Sequence, residues 1–202
     1  MKNLLTRRTL LTMTAAMALL VAASLPPAHA QSAGADAFVT HFATDLVQIV
    51  NGPGEAAQKK ASLTPVIDHY VDVPAVARFC LGRFWAAATP AQQQEYVTLF
   101  HKVLLNNISG HLGDYRGVSY AMTGDSPQGG NTLVGTQITR PNQPQINVQW
   151  VVNSTPKVID VIAEGTSMRL TQRSDYASYL SQHGGSIDAL LAALHRQLDN
   201  AS

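Results

Sequence analysis

The sequence predicts an α+β fold, a four-stranded antiparallel meander sheet packed against N- and C-terminal helices and enclosing an apolar cavity. Three observations predict it. Helical apolar spacing runs through the first half of the chain, gives way to two-residue alternation over residues 117–164, and returns after Gly165. The connections between the alternating segments are short and rich in Gly, Pro, Asn and Ser, which makes successive strands antiparallel neighbours. The helix expected behind Thr89 has an apolar face too broad for a single contact, which asks for cover by core, by ligand, or by both.

Residues 1–30 are read as a signal peptide. Lys2, Arg7 and Arg8 form a basic region, Leu10 to Leu25 an apolar run, and Ala28-His29-Ala30 a small-x-small cleavage site. Thr6-Arg7-Arg8-Thr9-Leu10-Leu11 also fits a twin-arginine signal, so Sec and twin-arginine routes both stay open. Residues 31–202 then form one domain.

The first mature helix is expected over 36–51, with Phe38, Phe42, Leu46 and Ile49 inward and Asn51-Gly52-Pro53-Gly54 as the stop. A second covers 55–70, with Leu63, Val66, Ile67 and Tyr70 inward. Asp72 caps a short third helix carrying Val73, Val76, Ala77 and Cys80, and Pro74 is tolerated in its first turn. Thr89-Pro90-Ala91-Gln92 reads as a capping box with proline at the first helical position. The helix behind it places Val97, Phe100, Leu104 and Ile108 at steps of three and four.

Strands are expected at Gly117–Gly124, Asn131–Arg140, Gln145–Asn153 and Lys157–Glu164. Ile146, Val148 and Trp150 share one face by strict alternation. Lys157–Ile162, apolar on both faces apart from Asp160, suits a central strand. Gly129-Gly130 marks a hairpin turn. Past Gly165, Met168, Tyr176, Tyr179 and Leu180 fall on one side of a helix ended by His183-Gly184-Gly185. Ser186 caps a last helix with Ile187, Leu190, Leu191, Leu194 and Leu198 inward.

Composition excludes several functions. Setting aside the three cations of the leader leaves 11 Lys and Arg against 13 Asp and Glu, a near-neutral chain with no basic stripe for nucleic acid. Cys80 is the single cysteine, so no internal disulfide forms, and it reads as a small buried hydrophobe. No two mature histidines have the i, i+3 or i, i+4 spacing of a helical metal pair. Gly165-Thr166-Ser167-Met168-Arg169 begins like a nucleophile elbow, but Arg169 stands where that elbow needs glycine. Gly124-Asp125-Ser126 lacks the later Asp-x-x-His that would make it a hydrolase motif. The reading is therefore a binding protein rather than an enzyme, with no cofactor.

What remains is apolar excess with flanking arginines at Val76-Ala77-Arg78-Phe79-Cys80-Leu81-Gly82-Arg83-Phe84-Trp85. Arg83 either pairs with an internal acid, Asp160 or Glu164, or meets a ligand phosphate or carboxylate. Candidate residues for binding an apolar ligand with a polar end, taken from the apolar faces, are Phe84, Trp85, Phe100, Leu104, Ile108, Ile146, Val148, Trp150 and Val161. Its apolar part would lie between the sheet face of Ile146, Val148 and Trp150 and the helix of Phe100 and Leu104.

Asp72-Val73-Pro74, Ala77-Arg78-Phe79, Leu81-Gly82-Arg83-Phe84-Trp85 and Thr89-Pro90 with Gln92 resemble the MlaC family, also called toluene-tolerance auxiliary proteins. Val148-Gln149-Trp150, Val158–Val161 with Glu164–Ser167, Thr171–Tyr176, Gly184-Gly185 and Leu190–Leu194 continue the resemblance over nearly all of the mature chain. The resemblance implies a periplasmic lipid carrier that moves phospholipid between an outer-membrane lipoprotein complex and the substrate-binding subunit of an inner-membrane ABC transporter. Outer-membrane lipid asymmetry would depend on it. A subgroup is associated with hopanoid synthesis, so hopanoid cargo stays open, as does a non-lipid adaptor role in the same transport system. The family supplies no catalytic residues.

Overall fold

The computed structural model describes residues 28–200. The basic and apolar parts of the expected leader lie outside the described residues, and Ala28, where the expected cleavage site begins, opens the first helix, α1 (Ala28–Asn51).

The helices begin and end where local chemistry dictates. Asn51 closes α1 and reaches across the fold: its side chain donates to the Val118 carbonyl at 2.9 Å and accepts from the Gly117 amide at 2.8 Å. Next comes α2 (Ala56–Tyr70), with Leu63, Ile67 and Tyr70 buried. In α3 (Val73–Leu81), the Asp72 carboxylate accepts from the Ala75 amide at 3.0 Å. Gly82 stops α3 in a conformation closed to other residues, φ 57° and ψ −129°, and opens a 3-10 turn over Gly82–Ala87. The expected box starts α4 (Pro90–Gly110), with Thr89 accepting from the Gln92 amide and the Gln92 side chain accepting from the Thr89 amide.

The sheet has five strands rather than the four expected: β1 (Ser119–Gln128), β2 (Asn131–Thr139), β3 (Ile146–Val152), β4 (Val158–Ala163) and β5 (Thr166–Ser167), paired in that order and antiparallel throughout. The fifth arises because Glu164 and Gly165 both adopt positive φ, 47° and 79°, a tight turn that returns the chain onto β4 before helix can begin. The first strand also outruns expectation. Gly124 does not end it but sits at a bulge after Met122, φ 102°, and pairing continues to the Gly129-Gly130 turn.

Two helices close the chain, α5 (Met168–Gln182) capped by Ser167 and α6 (Ile187–Asp199) capped by Ser186. Gly184 and Gly185 take positive φ, and the Gly185 amide donates to the Leu180 carbonyl at 2.7 Å. Met168, expected on the inner side of α5, is instead exposed, because it stands at the helix start before the chain turns onto the core.

Register fixes the faces of the sheet. Val134 opposes Trp150, Thr136 opposes Val148, and Trp150 opposes Val161, so these share one face. α1 lies across that face on β1 and β2, while α5 meets β4, and α4 packs instead on α2, α3 and α6. One large apolar cluster joins the helices to Val134, Val152 and Val158, and a small second cluster of Val50, Leu112 and Val118 sits at the α1 terminus.

Candidate functional site

The expected lipid-binding residues fall into three groups. Trp150 and Val161 lie half-buried on the sheet face against the main cluster. Trp150 is fixed at both ends: its ring meets Phe42 edge-on at 5.3 Å, and its Nε1 donates to Thr136 Oγ1 at 2.9 Å. Phe42 in turn stacks on Tyr70 at 4.7 Å, and the Tyr70 hydroxyl donates to Asp45 at 3.0 Å.

Phe100, Leu104 and Ile108 follow along α4. Phe100 is buried in a separate aromatic group, 5.9 Å from Tyr96 and 6.5 Å from Tyr176. Leu104 is half-buried against the main cluster, and Ile108 touches both clusters. Because α4 packs on helices and α1 covers β1 and β2, the α4 side chains and the β3–β4 face stand at two margins of the same core. Val148 is buried yet belongs to neither apolar cluster, and Ile146 beside it is half-buried.

Phe84 and Trp85 form the third group, on the connection between α3 and α4. Phe84 lies beside Gly185, where an added Cβ would come 3.6 Å from its ring. Trp85 sits under Arg78 at 5.7 Å, and its carbonyl accepts from the Gln93 side chain at 2.8 Å.

Two concavities stand out, and neither is the enclosed apolar cavity expected between the sheet and α4. One, about 380 Å³, opens on the opposite sheet face over Gly135, bordered by Thr123, Asp125, Gln149 and Ile162. The other, about 490 Å³, lies between the end of α1 and the start of α2. Both are solvent-open; the first is mainly polar, and the second mixes polar side chains with Ile49, Pro53 and Val66. Sequence reasoning missed Thr136, Phe42 and Tyr70 as partners of Trp150. Inward alternation of Thr132, Val134, Thr136 and Ile138 was a signal for the first.

The arginine reading needs correction. Arg83 pairs with neither Asp160 nor Glu164, and its guanidinium lies over Phe84 at 4.9 Å. Asp160 is engaged by Arg169, Nε to Oδ2 3.3 Å, because the Glu164-Gly165 turn carries the start of α5 back over β4. Asp160 also accepts from the Arg169 amide at 3.1 Å and from the Ser167 hydroxyl at 2.6 Å. The Ser167 hydroxyl thus donates to a carboxylate while accepting from the Leu170 amide at 3.2 Å, the arrangement of a helix cap.

Cys80 is buried, and burial first, then the Asp160 charge, pushes its thiol up to about 12. Burial likewise raises the Tyr96 and Tyr176 phenols, and the Tyr96 hydroxyl donates to the Ala77 carbonyl at 3.0 Å. These groups are protonated at neutral pH. Histidines face single carboxylates, His101 with Asp68 and His195 with Glu95, both at 2.9 Å. Among the described residues no three His, Cys, Asp or Glu side chains gather as metal ligands, and no helix is long and apolar enough to cross a membrane.

Residues 40–196 match the family model described as MlaC protein. Among solved structures, a phospholipid-binding protein from Ralstonia solanacearum, in complex with a phospholipid, superposes with a TM-score of 0.71 at 23% identity, covering 83% of this chain and 98% of that one. At that identity the likeness establishes a shared fold.

Proposed function

The chain belongs to the MlaC family, and from that premise we propose that it is a periplasmic phospholipid carrier. Its acyl-chain site would form between the β3–β4 face and α4. The observation that carries this is the layering: apolar side chains on both margins, Trp150 and Val161 on the sheet and Leu104 and Ile108 on α4, are half-buried against a common core, while α4 packs on helices. A separation of α4 from the sheet layer would extend that core into a cleft without breaking a strand pairing.

Several features support binding rather than catalysis. Ser167, the one hydroxyl set in a motif like a nucleophile elbow, caps a helix and donates to Asp160. Cys80 is buried with a raised thiol. The related fold from Ralstonia solanacearum holds a phospholipid, and an acyl chain asks only for apolar surface and a route in.

In the proposed role the mature chain, from Gln31 after leader cleavage, exchanges lipid with an outer-membrane lipoprotein complex and an inner-membrane ABC transporter. The test is organic extraction of the purified protein followed by mass spectrometry. The expected result is phospholipid near one molecule per chain, with uptake of labelled phospholipid from vesicles by the delipidated protein. Lipid-free protein that takes up none overturns the reading, hopanoid in the extract redirects it to the hopanoid-associated role, and lipid-free protein that binds the transporter subunit favours an adaptor.

A further inference from the structure

Two large apolar side chains stand exposed at the start of α5, Met168 at 46% and Leu170 at 56%. They point to different sides of the helix, and cations flank Leu170. The guanidinium groups of Arg169 and Arg173 both lie over the Phe79 ring, at 4.4 and 5.0 Å. Arg173 also rests against Gly82, where an added Cβ would come within 3.1 Å of its Nε. The next residue, Arg83, lies over Phe84 at 4.9 Å.

Arg169 is matched by buried Asp160. Arg173 and Arg83 are exposed, and neither has a carboxylate within ion-pair distance among the described residues. Asp175, two positions after Arg173, points from a different side of α5. The aromatic rings hold these cations in place, so less freedom is lost when they meet an anion.

We propose that this face, the first turn of α5 with the α3–α4 connection, docks on an anionic lipid membrane surface. Leu170, one turn before Arg173 and on its side of α5, enters the headgroup layer, and Arg173 and Arg83 meet lipid phosphates. An exposed apolar side chain beside unmatched cations is the combination that partitions into a charged lipid interface. Net charge supplies no such attraction, since beyond residue 30 acids outnumber Lys and Arg by 13 to 11, so the attraction must come from a local cluster. Of the expected lipid-binding residues Phe84 and Trp85 lie on this connection, but the proposed acyl-chain site, at the sheet and α4 margins, uses neither.

The test is flotation of the purified protein with phosphatidylcholine vesicles and with vesicles of equal parts phosphatidylcholine and phosphatidylglycerol. The expected result is association with the anionic vesicles only, lost at molar salt, where screening shortens to about 3 Å. Arg173→Gln should weaken it about fivefold, the effect of one cation near a charged surface. Leu170→Ser should weaken it at unchanged salt dependence. Equal binding to both vesicle types overturns the proposal, as do wild-type affinities in both variants, or no vesicle binding with salt-sensitive binding of an acidic protein instead. If Arg173→Gln melts early because its contacts with Phe79 and Gly82 are lost, lipid and salt dependence of the wild type together with Leu170→Ser decide. Extraction and mass spectrometry of the same samples read cargo separately, so failure of docking and failure of the carrier reading remain distinct.

Discussion

Asp160→Ala tests how α5 is tied to the sheet. Asp160 is 6% exposed and its carboxylate takes three donors, the amides of Val161 and Arg169 at 2.8 and 3.1 Å and the Ser167 hydroxyl at 2.6 Å, with Arg169 Nε at 3.3 Å as an ion-pair contact. Hydrogen bonds to a charged group contribute about 1.5–3 kcal/mol each when lost singly. They are not additive here, since all three share one acceptor group. Removing one partner of a buried ion pair costs about 3–5 kcal/mol. Arg169 keeps some solvent, with its side chain 24% exposed, so the lower end applies, about 3 kcal/mol. For a domain of this size that is a drop of about 6–12 °C in melting temperature. The assay is equilibrium denaturation followed by circular dichroism, with Ser167→Ala and the double variant completing a cycle. A loss below about 1 kcal/mol, or Asp160 and Ser167 effects that simply add, would refute the view that this carboxylate organises the β4–α5 junction.

Leu104→Arg should lower bound phospholipid while the fold persists, because Leu104 stands at a margin where the long side chain can reach solvent. Leu63→Arg, at a site with no exposure, should prevent folding, and equal outcomes for the two variants would show that Leu104 is ordinary core. Gly82→Ala should destabilise by about 1–3 kcal/mol from its backbone conformation alone, read by thermal melting, since φ 57° with ψ −129° is closed to alanine and its Cβ would press on Arg173. Cys80 should resist thiol reagents in the native protein. Its folded thiol stays protonated up to about 12 while the unfolded one ionises near 9, so stability should fall as pH rises through that window, and Cys80→Ala should lessen the fall.

The helices were legible because their signals are local. Thr89, Pro90 and Gln92 declare a start within four residues, and Asp72 and Ser186 each form the side-chain cap expected of them. Strand faces were legible by alternation, as at Val148 and Trp150. The fifth strand was not, since it depends on Glu164 accepting a positive φ that glutamate rarely adopts. The partner of Asp160 was hidden for a related reason: that same turn brings Arg169 within reach, and the nearer-looking candidate Arg83 is held over Phe84 instead. The layering of α1 over β1 and β2, with α4 set back on other helices, is a tertiary arrangement that no single periodicity encodes. Sequence could nominate apolar faces but not say which two would face each other.

The layering also bears on how a carrier could release its cargo. Hiding an acyl methylene from water contributes about 0.8 kcal/mol, and two chains of roughly fifteen carbons would give on the order of 25 kcal/mol. That exceeds the practical ceiling for non-covalent affinity, about 18–21 kcal/mol. A carrier competes with a bilayer rather than with water, however, and the methylenes are as well hidden in one as in the other. Net transfer is then governed by small differences: apolar contacts between the sheet and helix layers given up on opening, against those the lipid restores. If the site lies where it is proposed, between α4 and the β3–β4 face, opening would leave the pairing of the five strands intact and its cost would fall on side-chain packing around Leu104, Trp150 and Val161. Such a balance can be tipped by a partner that engages either layer, and it needs no reactive group.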